Sequence, residues 1–531
     1  MHAIVQRMIL GPDARFDPEV TLPALLDRRA AENPDALLLI DAASGTAHTR
    51  REIRDASLKA ARGLHRLGFG AGDCLCTLMP NHVSWYVVAV AAHRLGGSIS
   101  GINPMATPDE IARQFAQVPA RAILAATPLL DAARKIAAAL SIPIVLSVEP
   151  GGAADCIDDL DGPALPAVTP RAEDAALLPF SSGSSGLPKA AIISHRNLIC
   201  GGVQIPHRLK IRAGDRLLGL APLFHIVGPH LFPSALQGEA AIVVVGRLDP
   251  AFIFDAVEKH RVTHMPLLVP ILKVLARHPA GEGRDFSSLK IVAGGGVALD
   301  AGAAEDARKR FGCPILQVYG MTETSAIITA DAPEDVDAAT CGRIAPNMKM
   351  RFADPRTGEI LPLGEAGEVQ LEGPNIFGGY LGLEEATRAA FTEDGWLRTG
   401  DIGRLREDGR LLLTGRIKEM IKVHSAQVAP AELEMLLHAH RAVAESVVTG
   451  RPSRYCGEAP IAYVVLAEPI DPYEIMDWVN DQVIRYKRLR GIVVVDGIPR
   501  NATGKPDRNA VAAMDAAGRS AGVAAGGERA A

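Results

Sequence analysis

The chain carries no excess of positive charge and no long apolar run. Its 531 residues include 56 Lys and Arg against 61 Asp and Glu, a formal net charge of −5. Proteins that bind nucleic acids generally carry a basic face, so this balance argues against general nucleic-acid binding. No stretch of 18 or more apolar residues is free of charge, and the N-terminus lacks the basic and apolar regions of a signal peptide. We therefore predict neither a transmembrane segment nor a secretory leader.

Cysteine is scarce and scattered. Only Cys74 and Cys76, of seven cysteines, are close in sequence. The seven show neither a metal-ligand spacing nor a disulfide framework. Reduced, mostly buried thiols in a cytoplasmic protein are therefore expected.

Apolar runs of strand length alternate with helical patterns through most of the chain before residue 330. Examples are a predicted strand at 73–78 and a predicted helix at 83–95. Another predicted helix begins with a capping box formed by Thr49 and Glu52. Strands that alternate with helices predict parallel sheets covered on both faces, and therefore an α/β fold.

The sequence pattern then changes twice. From Arg343, short strands and Gly/Pro turns predict a small β-rich subdomain. Beyond Arg416 a new α/β pattern, with a predicted helix at 471–486, implies a second domain of about a hundred residues. The prediction has three parts: a large N-terminal domain at 1–415, a small α+β C-terminal domain at 416–515 and a disordered tail at 516–531.

The strongest single motif is a run of small residues at 181–189, which follows an apolar run and ends in Lys189. Backbone N–H groups in such a loop can surround a phosphate. The motif is not a Walker A loop, because Pro188 separates Gly186 from the lysine and no Ser or Thr follows. A flexible linker is the alternative. A linker has no reason to lead directly into 190–193, which has the pattern of a buried strand, so we predict a phosphate-binding loop.

Four further motifs carry polar groups suited to nucleotide chemistry, and each also has an ordinary explanation. Residues 319–324 place a hydroxyl beside a carboxylate at a strand end, where α/β sheets bind ligands, but Thr322 could be a helix cap. Asp401 follows a tight turn, where it could chelate a ribose diol or simply stabilise the turn. A lone loop lysine such as Lys505 is normally solvated. His225 lies at the end of an apolar predicted strand, where a core histidine would be usual.

Taken together, the order and spacing of these motifs resemble the adenylate-forming superfamily of acyl-CoA synthetases, nonribosomal adenylation domains and luciferases. The resemblance runs over roughly residues 22–511. It implies that a carboxylate attacks the α-phosphorus of ATP to give acyl-AMP and pyrophosphate, and that a thiol then displaces AMP. It also implies ATP, Mg²⁺ and coenzyme A as co-substrate, and a mobile C-terminal domain that rotates between the two half-reactions.

The resemblance assigns roles position by position. Those implied in catalysis are Lys505, His225, Thr322 and Glu323, with Glu323 holding Mg²⁺ and His225 acting as a gate beside the acyl group. The residues implied in ATP binding are Ser181, Ser182, Gly183, Ser184, Ser185, Gly186, Lys189, Gly295, Gly296, Gln317, Tyr319, Gly320, Thr322, Asp401, Arg416, Lys422 and Gln427. The implied acyl pocket consists of Phe224, His225, Ile226, Val227, Gly320 and Met321, and the implied hinge is Lys418.

The segment after the hinge departs from the family pattern, because Ser425 stands where the family commonly has glycine. In the resembling enzymes that glycine lets the backbone approach the pantetheine channel. The departure slightly favours an acyl-AMP ligase that delivers to a carrier protein or another nucleophile, whereas the absence of an attached carrier domain favours CoA. A non-catalytic nucleotide- or acyl-binding protein is a second alternative. It is disfavoured because Glu323, Asp401 and Lys505 are all present.

Within the superfamily the closest pattern is that of 4-coumarate-CoA ligases and fatty-acyl-CoA ligases. The segments 224–228 and 262–270 resemble their acyl-pocket segments and are apolar apart from histidines. No lysine or arginine awaits a second carboxylate, and no acidic residue awaits the ammonium of an amino acid. We expect a hydrophobic monocarboxylic acid, either aryl or medium-chain fatty. The expected partners are this acid, ATP and CoA but no nucleic acid, and a homodimer is one compatible assembly.

Overall fold

The chain divides into two compact units. The computed structural model describes residues 3–5, 7–149, 155–181, 188–423, 426–453, 455–500 and 506–516. Unit 1 consists of Met1–Leu299, Ala303–Met350 and Leu371–Arg398. Unit 2 consists of Asp300–Gly302, Arg351–Gln370 and Thr399–Ala531.

Unit 1 contains two large sheets. The first has seven strands in the spatial order Ile193–Ser194, Ala175–Leu177, Ser98–Gly101, Cys74–Leu78, Ala120–Ala125, Ile144–Ser147 and Asp155–Cys156. Its neighbours are parallel except for the first pair. The second has nine strands in the order Arg343–Ile344, Ala326–Ala330, Ile315–Met321, Ile291–Gly295, His264–Leu268, Arg216–Gly219, Ala241–Val244, Leu37–Asp41 and Ala47–Thr49. Its central strands are parallel.

Helices alternate with these strands along the chain. They are Leu22–Glu32, Arg50–Arg66, Val83–Arg94, Pro108–Phe115, Leu130–Leu140, His195–Leu209, Val227–Gly238, Pro250–Lys259, Val269–Arg277, Ala301–Phe311 and Glu384–Ala390. Buried Leu, Ile, Val and Ala side chains of the strands pack against the apolar faces of these helices. A short hairpin of Ala3–Val5 and Met8–Leu10 precedes them.

Unit 2 is the smaller of the two. Four strands that lie mostly in this unit are neighbours in one sheet: Lys349–Ala353, Gly367–Glu372, Leu397–Leu405 and Leu411–Arg416. A second, five-stranded sheet contains Ala426–Val428, Ile421–Val423, Gly457–Leu466, Val443–Ser453 and Gly491–Val494. Its helices are Pro430–Ala439, Pro472–Asn480 and Arg508–Ala516. One apolar core joins this second sheet to its helices.

The structure confirms the predicted α/β class, with a large N-terminal part and a smaller C-terminal part. The capping box is also present: Glu52 N donates to Thr49 Oγ1 at 3.3 Å, and Thr49 N donates to Glu52 Oε2 at 2.7 Å. All seven cysteines are free and buried. Among the helices of the described residues, none combines the length and apolar character needed to cross a membrane. The boundary at 415/416 stays a prediction, and the tail from 517 lies outside the described residues.

The predicted helix at 471–486 is too long. The observed helix covers Pro472–Asn480 and is followed by a short 3₁₀ turn, Arg485–Lys487. Asn480 explains the early end, because its side chain accepts a hydrogen bond from Leu489 N at 2.7 Å and donates one to Leu489 O at 3.2 Å. This two-point contact turns the chain back towards the sheet.

Candidate active site

A short hairpin closes the predicted phosphate loop. Phe180–Ser181 pairs antiparallel with Lys189–Ala190, so that Ser181 lies opposite Lys189. Ser181 is buried, and its Oγ has no hydrogen-bond partner within the described residues. Ser182, Gly183, Ser184, Ser185 and Gly186 lie outside the described residues. The structure therefore describes the two ends of the loop.

The predicted single strand at 190–193 is wrong. Lys189–Ala190 belongs to the hairpin, whereas Ile193–Ser194 is the edge strand of the seven-stranded sheet. Between them the chain changes partner, because Gly378 N donates to Ile192 O and Ile192 N donates to Gly379 O, both at 2.9 Å. Residues 190–193 are largely buried, as predicted. They pair in turn with the hairpin strand, with residues 378–381 and with the seven-stranded sheet.

The segment 375–381 is thus held against the end of the phosphate loop. Leu381 N donates to Ala190 O at 2.9 Å, and Tyr380 forms an isolated antiparallel bridge with Ala191. Gly379 has φ +120°, and a Cβ there would lie 2.6 Å from Thr387 Cγ2. Only glycine fits this conformation.

Glu323 is buried beside this segment. It lies in the 3₁₀ turn Thr322–Thr324, directly after the strand Ile315–Met321, and is 5% exposed. Its Oε1 accepts a hydrogen bond from Tyr380 Oη at 2.7 Å, and its backbone oxygen accepts one from Phe377 N at 3.0 Å. The turn is capped by Thr324 and not by Thr322, because Met321 N donates to Thr324 Oγ1 at 3.0 Å. The cap explanation for Thr322 is therefore wrong.

Tyr380 connects the phosphate loop to Glu323. Its ring centroid is 5.1 Å from Lys189 Nζ, a cation–π distance. Burial, and then the neighbouring Glu323 carboxylate, raise the pKa of the Tyr380 hydroxyl. Tyr380 therefore stays a hydrogen-bond donor. Tyr380 was not predicted from the sequence, where its local signal is the glycine pair that precedes it.

Gly295 and Gln317, both predicted to bind ATP, lie on adjacent strands. Gly294 lies opposite Gln317 in the parallel pair Ile291–Gly295 and Ile315–Met321. Gln317 Oε1 accepts from Leu299 N at 2.6 Å, and Gln317 Nε2 donates to Cys341 Sγ at 3.2 Å. Gln317 thus fixes the loop that follows the first strand.

The other predicted site residues of this region lie on the same two strands or directly after them. Gly296 has φ +91°, which favours glycine at this point. Tyr319 is 9% exposed, and Gly320 and Met321 follow it at the strand end. Their contacts with ATP and with the acyl group stay predictions.

His225 does not lie at a strand end. The strand stops at Gly219, and His225 lies in the turn before the helix Val227–Gly238. The Asn81 amide donates to the carbonyl oxygens of residues 219–221 at 3.1–3.2 Å, and Asn81 Oδ1 accepts from Leu223 N at 2.9 Å. These bonds bend the chain out of the sheet. Sequence reasoning missed Asn81, which is far away along the chain.

The core histidine of this region is His230. It is fully buried, and its Nδ1 lies 3.0 Å from Ile226 O. Burial lowers the pKa of His230 to about 4, so its imidazole is neutral at pH 7. His225, by contrast, is half-buried, in the same turn as Phe224.

Unit 2 brings Asp401 and Arg416 together. They are opposite each other on the paired strands Leu397–Leu405 and Leu411–Arg416, and Arg416 Nε lies 2.7 Å from Asp401 Oδ1. Asp401 is 4% exposed, and its N–H donates to Thr399 Oγ1 at 3.1 Å. A buried carboxylate held in this way is suited to accept hydrogen bonds from a diol.

The hinge region and the small domain are described in part. Lys418 is exposed in the turn Ile417–Glu419, and Lys422 is exposed on a strand where it lies opposite Gln427. Ser425 and Lys505 lie outside the described residues. Their predicted roles therefore stay predictions.

The donor set fits magnesium bound chiefly through a substrate. Within the described residues no group of three or more His, Cys, Asp or Glu side chains could hold a metal. Mg²⁺ commonly takes one or two protein carboxylates and completes its shell with waters and substrate phosphates. Glu323 meets this requirement, because it is a buried carboxylate linked through Tyr380 to Lys189 at the end of the phosphate loop.

Comparison with known proteins identifies the family of the chain. The AMP-binding enzyme family matches residues 26–381, and the AMP-binding enzyme C-terminal domain matches 432–505. The 4-coumarate–CoA ligase 5 of Oryza sativa subsp. japonica is 35% identical over 526 residues, covering 96% of this chain and 97% of that protein.

Two solved structures share the fold over nearly their whole length. The amide bond synthetase of Marinactinospora thermotolerans is 27% identical with a TM-score of 0.84, covering 93% of this chain and 99% of the other. The o-succinylbenzoate CoA synthetase of Bacillus subtilis, solved with its acyl-adenylate intermediate, is 26% identical with a TM-score of 0.82, covering 93% and 98%. Since the family match covers well over half of the sequence and the plant relative aligns along nearly all of it, this chain belongs to the AMP-binding enzyme family, as an ATP-dependent acyl-CoA synthetase that works through an acyl-AMP.

Proposed function

We propose that the acid activated by this enzyme is a hydrophobic monocarboxylic acid of the aryl or medium-chain fatty class. One observation carries the proposal: the segment 221–238, which contains the predicted acyl-pocket residues around His225, has no Asp, Glu, Lys or Arg. Its buried histidine, His230, is uncharged at pH 7 because burial lowers its pKa to about 4. A wall without charge favours an apolar acyl group over a dicarboxylate or an amino acid.

In the first half-reaction the carboxylate oxygen attacks the α-phosphorus of ATP. The bond between the α-phosphorus and the oxygen that bridges to the β-phosphate breaks, and pyrophosphate is released. Both reactants are anions, so positive charge must be held close to them. We assign the β- and γ-phosphates to the phosphate loop, where Lys189 supplies charge and Ser181 has an unpaired buried hydroxyl. Thr322 and Lys505 would contact the α-phosphate.

Glu323 would hold Mg²⁺, which when bound supplies charge neutralisation on the phosphates. Asp401, fixed by Arg416, would accept hydrogen bonds from the ribose hydroxyls. In the second half-reaction the thiol of CoA attacks the acyl carbon, the bond to the phosphate oxygen breaks, and AMP leaves. Rotation about Lys418 would remove Lys505 before the thiol enters.

A second acceptor is favoured by one observation. The amide bond synthetase of Marinactinospora thermotolerans matches this chain over 93% of its length, which supports an amine as an alternative nucleophile to CoA. The same acyl-AMP would serve either acceptor, and the choice concerns only the second half-reaction.

The decisive experiment is an acid panel. Purified enzyme is incubated with ATP, Mg²⁺ and aryl, fatty, dicarboxylic and amino acids, and pyrophosphate release is measured with and without CoA. We expect release with aryl or medium-chain acids and a CoA thioester by mass. Release that is highest with dicarboxylic or amino acids would contradict the proposed acid class. Accumulation of acyl-AMP while CoA stays unused would indicate that the acceptor is an amine or a carrier protein.

Lys505→Ala tests the assignment of Lys505 within the same assay. The adenylation rate should collapse, whereas the thioester rate from added acyl-AMP should change little, because Lys505 leaves the site for that step. Wild-type adenylation in this variant would remove Lys505 from the mechanism.

Location and assembly complete the proposal. Seven free, buried thiols support a reducing, cytoplasmic location, which fractionation of the native host would test. A homodimer is one assembly compatible with the proposal. Sedimentation velocity at micromolar concentration distinguishes a dimer from a monomer.

A further inference from the structure

The hydroxyl and the ring of Tyr380 contact two groups of opposite charge that would both act on ATP. The hydroxyl donates to Glu323 Oε1 at 2.7 Å, and the ring centroid lies 5.1 Å from Lys189 Nζ. Lys189 lies in the two-stranded hairpin, whereas Glu323 lies in the 3₁₀ turn Thr322–Thr324, and Tyr380 is 57 residues from the glutamate. We propose that Tyr380 is a positioning residue for adenylation, which holds the metal-binding carboxylate and the lysine of the phosphate loop in one geometry.

The backbone around Tyr380 is unusually well fixed. Its N–H donates to Thr387 Oγ1 at 2.9 Å, and its neighbours pair with residues 190–192. Its ring meets that of Phe377 edge to face, with centroids 5.0 Å apart. A side chain supported on both its backbone and its ring can orient other groups, because little freedom remains for it to lose.

Each half of the side chain has its own task. By donating to Oε1 the hydroxyl fixes the rotation of the Glu323 carboxylate, and Oε2 forms no hydrogen bond within the described residues. That oxygen is therefore available to a cation. The face of the ring attracts the Lys189 ammonium and so helps to hold it at the end of the phosphate loop.

The inference rests on the proposed role of Glu323 as the metal ligand, so the test measures metal binding as well as turnover. Full-length enzyme is titrated with Mn²⁺ in the presence of α,β-methylene-ATP, and free Mn²⁺ is followed by electron paramagnetic resonance. Tyr380→Phe removes the hydroxyl and keeps the ring. We expect it to weaken Mn²⁺ binding roughly tenfold, the usual effect of losing a hydrogen bond to a charged group. Tyr486→Phe, an exposed tyrosine in unit 2, is the matched control and should bind as wild type.

Turnover provides the second measurement. In Tyr380→Phe the Mg²⁺ concentration for half-maximal pyrophosphate release should rise by a similar factor, while the thioester rate from added acyl-AMP and CoA should stay close to wild type. Tyr380→Leu also removes the ring, so it should additionally weaken inhibition by pyrophosphate, which Lys189 would bind. Unchanged Mn²⁺ binding in Tyr380→Phe would overturn the proposal.

A double-mutant cycle with Glu323→Gln separates this inference from the assignment on which it rests, and remains valid if Tyr380→Phe lowers the melting temperature. If the hydroxyl acts through the carboxylate, adding Tyr380→Phe to Glu323→Gln should weaken Mn²⁺ binding no further. Additive losses would overturn the positioning role. Wild-type Mn²⁺ binding in Glu323→Gln alone would instead refute Glu323 as the ligand, and the positioning role with it.

Discussion

Arg508 forms a two-point ion pair with Glu434, and this pair ties the last described helix to the core of unit 2. Nη1 and Nη2 of Arg508 donate to the two carboxylate oxygens at 2.5 and 2.9 Å, and Nη1 also donates to Val448 O at 2.7 Å. Glu434 in turn accepts from Val448 N at 2.8 Å. Arg508 also contacts Glu419, next to the predicted hinge, at 3.1 Å. One side chain thus joins a helix, a strand and the hinge turn.

Arg508→Ala should therefore destabilise unit 2 by on the order of 3 kcal/mol, because it leaves a largely buried Glu434 without its partner. Chemical unfolding followed by the fluorescence of Trp478, the tryptophan of unit 2, measures this change in the free energy of unfolding. Arg441→Ala is the control, since Arg441 is 85% exposed and its pair with Glu468 should contribute less than about 1 kcal/mol. Equal effects from the two variants would contradict the prediction.

Asp401→Asn should weaken ATP use without unfolding the protein. The amide preserves the size of the buried side chain but removes the charge that Arg416 and the ribose would both contact. We expect kcat/KM for ATP to fall by about ten- to a hundredfold, the range for losing charge-assisted hydrogen bonds. Asp408→Asn, in a surface turn of the same unit, is the comparison and should leave kcat/KM for ATP within twofold of wild type. A normal KM for ATP in Asp401→Asn would reject the ribose assignment.

Stability should decrease in mild acid because buried histidines must remain neutral in the folded state. Burial lowers the pKa of His93 and that of His230 to about 4, and burial followed by the charge of His93 lowers the pKa of His195. The same groups titrate near pH 6.5 in the unfolded chain. Between about pH 4 and pH 6.5 the unfolded state therefore binds more protons than the folded state. The free energy of unfolding is highest above about pH 6.5 and decreases as the pH falls towards 4. At pH 4 the resulting loss of stability is up to about 3 kcal/mol for His93 and for His230.

Urea unfolding at pH 8, 7, 6 and 5 measures this pH dependence of the free energy of unfolding. Carboxylates also titrate in part of this range, so the informative comparison is with His230→Phe, which removes one of the histidines. The dependence between pH 6.5 and 5 should be shallower in the variant. Identical slopes in the two proteins would show that His230 does not titrate as its burial requires.

Gly379→Ala should reduce both stability and adenylation. The methyl group would lie 2.6 Å from Thr387 Cγ2 in a backbone with φ +120°, so strain and overlap add to roughly 2–4 kcal/mol. Gly382→Ala is matched to it, because Gly382 has φ +66° and nothing within 4 Å of the added methyl. That control should lose only about 1 kcal/mol. Thermal unfolding and pyrophosphate release are measured for both variants. Equal losses of stability and of activity in the two would contradict a steric role for position 379.

Local patterns predicted what depends on local physics. The capping box of Thr49 and Glu52 was predictable because both partners lie within one helical turn. Asp401 and Arg416 are both predicted to bind ATP, although only by resemblance to a family. The helix that starts at Pro472 was predicted to start correctly and to end too late, because its end depends on a contact between Asn480 and Leu489 outside the helix.

The sequence by itself determined the α/β class, the order of strands and helices, and the family to which the catalytic motifs belong, since these follow from periodicity and from motif spacing along one chain. Only the tertiary structure decided which side chains meet. Asn81 bends the His225 turn from about 140 residues away, the run at 190–193 changes partners to reach residues 378–381, and Tyr380 lies between Lys189 and Glu323. Such contacts form when segments that are distant along the chain pack together. The residues that make these hydrogen bonds follow no periodic pattern in the sequence, so the contacts cannot be predicted from it.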